Sequence, residues 1–108
     1  MKLRNSYTCP LEITHDIIKG KWKPIILWIL KDGKKSLSEL EKAIVGINQK
    51  MLLEQLRELI EFGIIEKYTY EGFPLRVEYF LTMQGENLIA ALHIMQNVGK
   101  ELIRKDES

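Results

Sequence analysis

Residues 36–62 read SLSELEKAIVGINQKMLLEQLRELIEF, and this stretch decides the fold. It contains two helix patterns separated by a short break. Ser36 with Glu39, or Ser38 with Glu41, has the S-x-x-E spacing of a capping box. Leu40, Ala43 and Ile44 give the first helix one apolar side. Val45-Gly46-Ile47 interrupts it, and Gly46 can take the positive φ that a helix stop requires. Asn48 is a good N-cap for the second helix. There Leu52, Leu56, Leu59 and Ile60 recur at 3.6-residue spacing and predict the buried face. Gly63 ends the pattern. Two helices joined this tightly cross steeply, as in a helix-turn-helix. The second opens with Asn48, Gln49 and Lys50, whose polar groups suit base edges and phosphates. Residues 48–62 are therefore read as a DNA recognition helix.

The flanking sequence fits that centre. After Gly63 the period changes from 3.6 to 2. Residues 64–70 and 77–81 are rich in β-branched and aromatic side chains, and Glu71-Gly72-Phe73-Pro74 supplies turn chemistry between them. In the second strand Val77, Tyr79 and Leu81 share one face, while Arg76, Glu78 and Phe80 share the other. A hairpin directly after a recognition helix is the order of a winged helix, with its wing tip near Gly72. Upstream, Cys9-Pro10 starts a short helix capped by Thr8 or Cys9, and Pro10 sits in the tolerated first turn. Leu11, Ile13, Ile17 and Ile18 line its apolar side, and Gly20 stops it. A second helix, residues 22–30, is apolar nearly all round and is expected to be the core. Downstream, Thr82 caps a long helix reaching about Arg104. Its stripe of Leu88, Ala91, Leu92, Met95, Val98, Gly99 and Leu102 is too long for a small core to cover. A dimer interface accounts for the stripe better than packing within one chain. The expected fold is mainly α with a small β-hairpin: one winged helix-turn-helix domain over residues 1–108. Helix-turn-helix 36–62 and wing 64–81 are flanked by an N-terminal helix and a dimerisation helix over residues 83–104.

At 108 residues the chain is one domain, small enough for a partner to complete its core. A single cysteine rules out an internal disulfide. No apolar run reaches membrane-spanning length and the start lacks a signal-peptide run, so a cytoplasmic protein is expected. The net charge of +1 says little, but its distribution is uneven. Residues 1–35 carry eight Lys or Arg against three acids, and residues 36–108 carry eight against twelve. The six lysines from Lys19 to Lys35 form either a solvated surface or a phosphate-facing patch.

Seven pieces of the sequence then carry a family resemblance. They are Cys9-Pro10, Gly20-Lys21-Trp22, Gly46-Ile47, Gln49-Lys50-Met51-Leu52, Leu56-Arg57-Glu58-Leu59, Gly63-Ile64, and Arg76-Val77-Glu78-Tyr79 with Leu81-Thr82. In this order they resemble the HxlR family, bacterial winged-helix transcription regulators related to the MarR group. The resemblance covers about residues 9–100. It implies a homodimer bound to double-stranded operator DNA with an inverted repeat. A lone Cys9 is either a small core residue or a redox sensor, and the resemblance adds weight to the second reading, because some relatives sense electrophiles or oxidants through the cysteine at this position. The sequence departs from the family at Lys19, where Gly is usual, and at Asn48, where Ser is usual and also caps. Leu53 and Glu54 replace the common Thr and Gln. A Leu can touch a thymine methyl, and a Glu can accept from cytosine but repels phosphate, so the operator cannot be taken from relatives.

The candidate DNA-binding residues are Ser38, Asn48, Gln49, Lys50, Leu53, Glu54, Arg57 and Arg76. Arg57 is read as a structural or phosphate contact. Arg76 either touches phosphate or pairs with Glu78. Trp22 and Trp28 are read as core. Lone His15 and His93 have no metal-ligand spacing, and Lys19-Gly20-Lys21 lacks the phosphate-loop pattern. Nothing implies a catalytic group, a metal or a cofactor, so an enzyme is not expected. Glu54, Glu58 and Glu61 keep one alternative open, a winged-helix module that binds protein instead of DNA.

Overall fold

The computed structural model describes residues 6–107. Helix α1 spans Pro10–Ile18, α2 Trp22–Leu30, α3 Leu37–Ala43 and α4 Gln49–Glu61. Strand β1 is Lys35–Ser36, β2 Ile65–Tyr70 and β3 Arg76–Leu81, and α5 Met83–Glu107 closes the chain. The helix-turn-helix begins as its sequence dictates. Ser36 caps α3 by accepting from the Glu39 backbone N–H (3.2 Å), and the Glu39 carboxylate accepts from the Ser36 N–H (2.9 Å). Of the two possible boxes, the Ser36 one forms. The Ser36 N–H, and after it the Ser36 hydroxyl, hold the Glu39 carboxyl below the usual carboxylate range. Gly46 takes φ +89°, and the Asn48 side chain accepts from the Met51 N–H at 2.8 Å to start α4. At the far end Thr82 ties the wing to α5. Its hydroxyl lies 2.6 Å from the Gly63 carbonyl and accepts from the Gly85 N–H at 3.3 Å.

The sheet has three strands, ordered β1-β3-β2 and antiparallel throughout, instead of the expected two. Lys35 pairs with Tyr79 and Ser36 with Glu78, so the residue that caps α3 also extends the wing. Two residues are too short to leave a period-2 signal, which is why the strand escaped sequence reading. Its effect is large: β3 becomes the central strand, and Tyr79 and Glu78 become buried. The core joins Ile26, Leu27 and Leu30 of α2 to Leu40, Ile44 and Ile47, then to Leu52, Leu56 and Leu59 of α4. Ile64, Ile65, Tyr79 and Leu92 complete it. Ala43 is exposed and Ile60 half-buried, so both expected apolar faces are narrower than the pattern suggested. Trp22 and Trp28, expected in the core, are half-buried at its edge. Lys21 Nζ lies over the Trp22 ring, and Lys31 Nζ over that of Trp28.

Candidate nucleic-acid interface

Helix α4 presents one apolar and one polar side. Leu52, Leu56 and Leu59 face inward. At 100° per residue Lys50, Glu54, Arg57 and Glu61 share the opposite side, and all four are exposed. Leu53 lies beside them, half-buried. Asn48 and Gln49 are exposed at the N-terminal end, where free backbone N–H groups and the helix dipole favour an anion. The oxygen of Asn48 is committed to the cap, so its carboxamide nitrogen is the group left for a ligand. Ser38 lies in the first turn of α3, its hydroxyl 3.3 Å from that of Ser36. Seven of the eight candidates thus lie on the helix-turn-helix, and Arg76 stands apart on the wing.

On the wing, Tyr70 donates to Glu78 Oε1 (2.6 Å) and Arg76 donates to Glu78 Oε2 (3.2 Å). Of the two readings of Arg76, the pairing with Glu78 forms, yet its side chain remains about two-thirds exposed (67%). The Tyr70 hydroxyl, against the opposing cost of burial, holds the Glu78 carboxyl below the usual range, and Arg76 adds to this. The arrangement braces the hairpin from β3 to β2 just before its tip. There Phe73 and Leu75 are fully or largely exposed, apolar groups that the turn signal did not single out.

The lysine-rich segment is not uniformly exposed: Lys21 and Lys34 face solvent, while others are engaged within the chain. Lys23 is buried (4% exposed), its Nζ 2.8 Å from Gln55 Oε1 and 3.2 Å from Glu58 Oε1. Lys19 lies 3.7 Å from Asp16, and Lys31 lies 3.1 Å from Asp32. Glu58, one of the three acids that kept a protein-binding alternative open, is half-buried in this ion pair. Sequence reasoning missed Lys23 and Gln55. The available signal was a lysine inside the otherwise apolar run WKPIILWIL.

Cys9 is exposed and occupies the N-cap of α1, but its side chain makes no cap bond. The Glu12 carboxylate accepts from the Thr8 N–H (3.0 Å) and hydroxyl instead. Lys2 and Arg4, whose charges would add positive potential near Cys9, lie outside the described residues. Helix α5 divides along its length. Gly85 and Leu92 are buried and Leu88 half-buried against the same chain, whereas Ile94, Met95, Val98, Leu102 and Ile103 are all more than half exposed. Between α2 and α5 lies a groove of about 420 Å³, lined among others by Ile25, Trp28, Met95 and Ile103. Among the described residues no group of three or more His, Cys, Asp or Glu could hold a metal ion, and no helix is long and apolar enough to cross a membrane.

Comparison with known proteins agrees with this geometry. The HxlR-like helix-turn-helix family profile matches residues 17–107. YdeP of Bacillus subtilis, an uncharacterised HTH-type transcriptional regulator, is 45% identical over 93 residues, covering 86% of this chain and 73% of its own. The solved reduced form of the redox regulator HypR superposes with a TM-score of 0.82 at 40% identity, covering 86% of this chain and 92% of its own. The reduced form of the transcriptional regulator YodB from B. subtilis superposes at 0.75 with 35% identity, covering 84% and 90%.

Proposed function

We propose, from the premise that the chain belongs to the HxlR-like helix-turn-helix family of transcriptional regulators, that it acts as a homodimer on an inverted-repeat operator. The observation that carries this reading is α4: one side locked into the core, the other offering Lys50, Leu53, Glu54 and Arg57 beside a capped N-terminus. Asn48, Gln49 and Lys50 enter the major groove. Ser38 and Arg57 flank them, and Arg76, whose guanidinium has further donors beside the one bonded to Glu78, reaches phosphate from the wing. The exposed apolar side of α5, with α1 beside it, joins two copies. A bare surface of five large apolar side chains is costly in water and is relieved by a second copy. A two-fold axis through that interface sets the half-sites about 10 base pairs apart, or a multiple of that. The protein works in the cytoplasm, where its operator is.

Selection of bound duplexes from a random pool tests the reading. An inverted repeat is the expected product, with a dimer in light scattering. A single asymmetric half-site bound by a monomer would overturn it. The alternative, a module for protein partners, has in its favour the exposed Glu54 and Glu61 on α4. It predicts no salt-dependent binding to any duplex.

Cys9 is the proposed sensor of oxidants or electrophiles. It is an exposed thiol at a helix start, and the chain resembles the redox regulator HypR, solved in a reduced and an oxidised form. With no second cysteine in the chain, the oxidised thiol pairs with Cys9 of another copy or with a small thiol, or an electrophile adds to it. Treatment of wild type and Cys9→Ser with diamide, followed by operator titration, checks this. Wild type should change affinity and the variant should not. Unchanged binding by fully modified wild type would make Cys9 structural.

A further inference from the structure

The buried Lys23 reaches from α2 onto the reading helix. Its ammonium donates to Gln55 at 2.8 Å and to Glu58 at 3.2 Å. Both acceptors lie on α4, one helical turn or less from the outward residues Glu54 and Arg57. Apolar packing alone would not fix this helix tightly about its own axis. Leu52, Leu56 and Leu59 make a non-directional contact, and a small roll of the helix costs such a contact little. Hydrogen bonds from a charged donor are directional and stronger than neutral ones. They also resist rearrangement, because a buried charge left without partners is costly.

We propose that Lys23 is a positioning residue for DNA reading. It fixes the roll of α4 through Gln55 and Glu58, and so sets which way Lys50, Leu53, Glu54 and Arg57 point. It also gives Glu58, which sits at the border of the outward side, a positive partner, so that this carboxylate repels a phosphate less. Lys23 itself touches no DNA. Because α2 also packs on α5, the same tether passes displacement of the long helix to the reading helix. This inference rests on α4 being the DNA reader.

The test replaces the polar tether by apolar side chains of similar size. Lys23→Met with Glu58→Leu removes both charges together, so that neither is stranded in the core. The melting temperature and far-UV circular dichroism should match wild type. The ratio of operator to scrambled-duplex affinity should fall at least tenfold, with nonspecific affinity and salt slope unchanged. In the absence of DNA, hydrogen exchange should quicken at least tenfold in α4 and stay constant in α2. A stable double variant that keeps both the wild-type ratio and wild-type exchange would overturn the proposal. If the double variant does not fold, Glu58→Gln and Gln55→Leu decide. Glu58→Gln keeps an acceptor for Lys23 and should keep the ratio, whereas Gln55→Leu removes one and should lower it. Equal behaviour of the two would overturn the proposal. Should wild type itself fail to discriminate among duplexes, the reading of α4 falls, while the exchange comparison still reports on the tether.

Discussion

The backbone of Gly85 rests on the carbonyl of Ile64, with Leu81 closing the space beside it, so that a side chain at position 85 has nowhere to go. This contact seats the start of α5 against the end of the reading unit. A Cβ there would sit far inside van der Waals contact with a backbone oxygen, which cannot swing aside as a side chain can.

Gly85→Ala should therefore destabilise the fold by about 1–3 kcal/mol through overpacking. Alanine's better helix propensity, worth at most about 1 kcal/mol, pulls the other way and is outweighed. Chemical denaturation of the two proteins reads the sign directly. A variant as stable as wild type would show that α5 can shift without cost.

Asn48 separates folding from reading. Removing the cap by Asn48→Ala should cost about 0.5–2 kcal/mol of stability. Asn48→Asp keeps the cap oxygen but replaces the amide nitrogen by a negative oxygen. Its melting temperature should stay near wild type while its affinity for duplex DNA drops. Equal DNA affinity in Asn48→Asp and wild type would place position 48 away from the duplex.

Lys50 lies in the first turn of α4. Lys50→Ala should weaken operator binding by about 1–3 kcal/mol and relax sequence preference, if the ammonium reads a base. If it meets phosphate, all sequences should lose affinity and the salt slope should drop by about 1. No change at any salt concentration would remove α4 from the interface.

Acid should loosen the wing. The Glu78 carboxyl is held below its ordinary range by Tyr70 and Arg76. Its contribution is therefore fully present above the unfolded carboxylate value, and it is lost as pH falls through the lower folded value. Wild type should lose melting temperature more steeply than Glu78→Gln as the solution is acidified below the ordinary carboxylate range. Parallel curves would show that Glu78 contributes nothing through its charge.

The residues themselves explain what was legible in the sequence. The Ser36 box, the Gly46 stop, the Asn48 cap and the Leu52-Leu56-Leu59 face are local patterns, and each formed where its chemistry placed it. Strand β1 and the Lys23–Glu58 pair depend on segments far apart in the chain meeting in space. No local period records such meetings. The same limit applies to α5, whose stripe was visible but whose division into a packed and a bare half depends on where the rest of the chain ends. Arg76 was legible only as two options, because choosing between them requires knowing that Glu78 lies on the central strand.

On the proposed dimer, the bare half of α5 would make the amount of protein an input to control. If two copies are needed to cover Ile94, Met95, Val98, Leu102 and Ile103, each fold is stabilised by mass action. Scarce regulator would then exist largely as single copies, which DNA itself brings together by holding two half-sites side by side. Occupancy would rise with roughly the square of protein concentration, and a modest change in synthesis would act as a steep change in control.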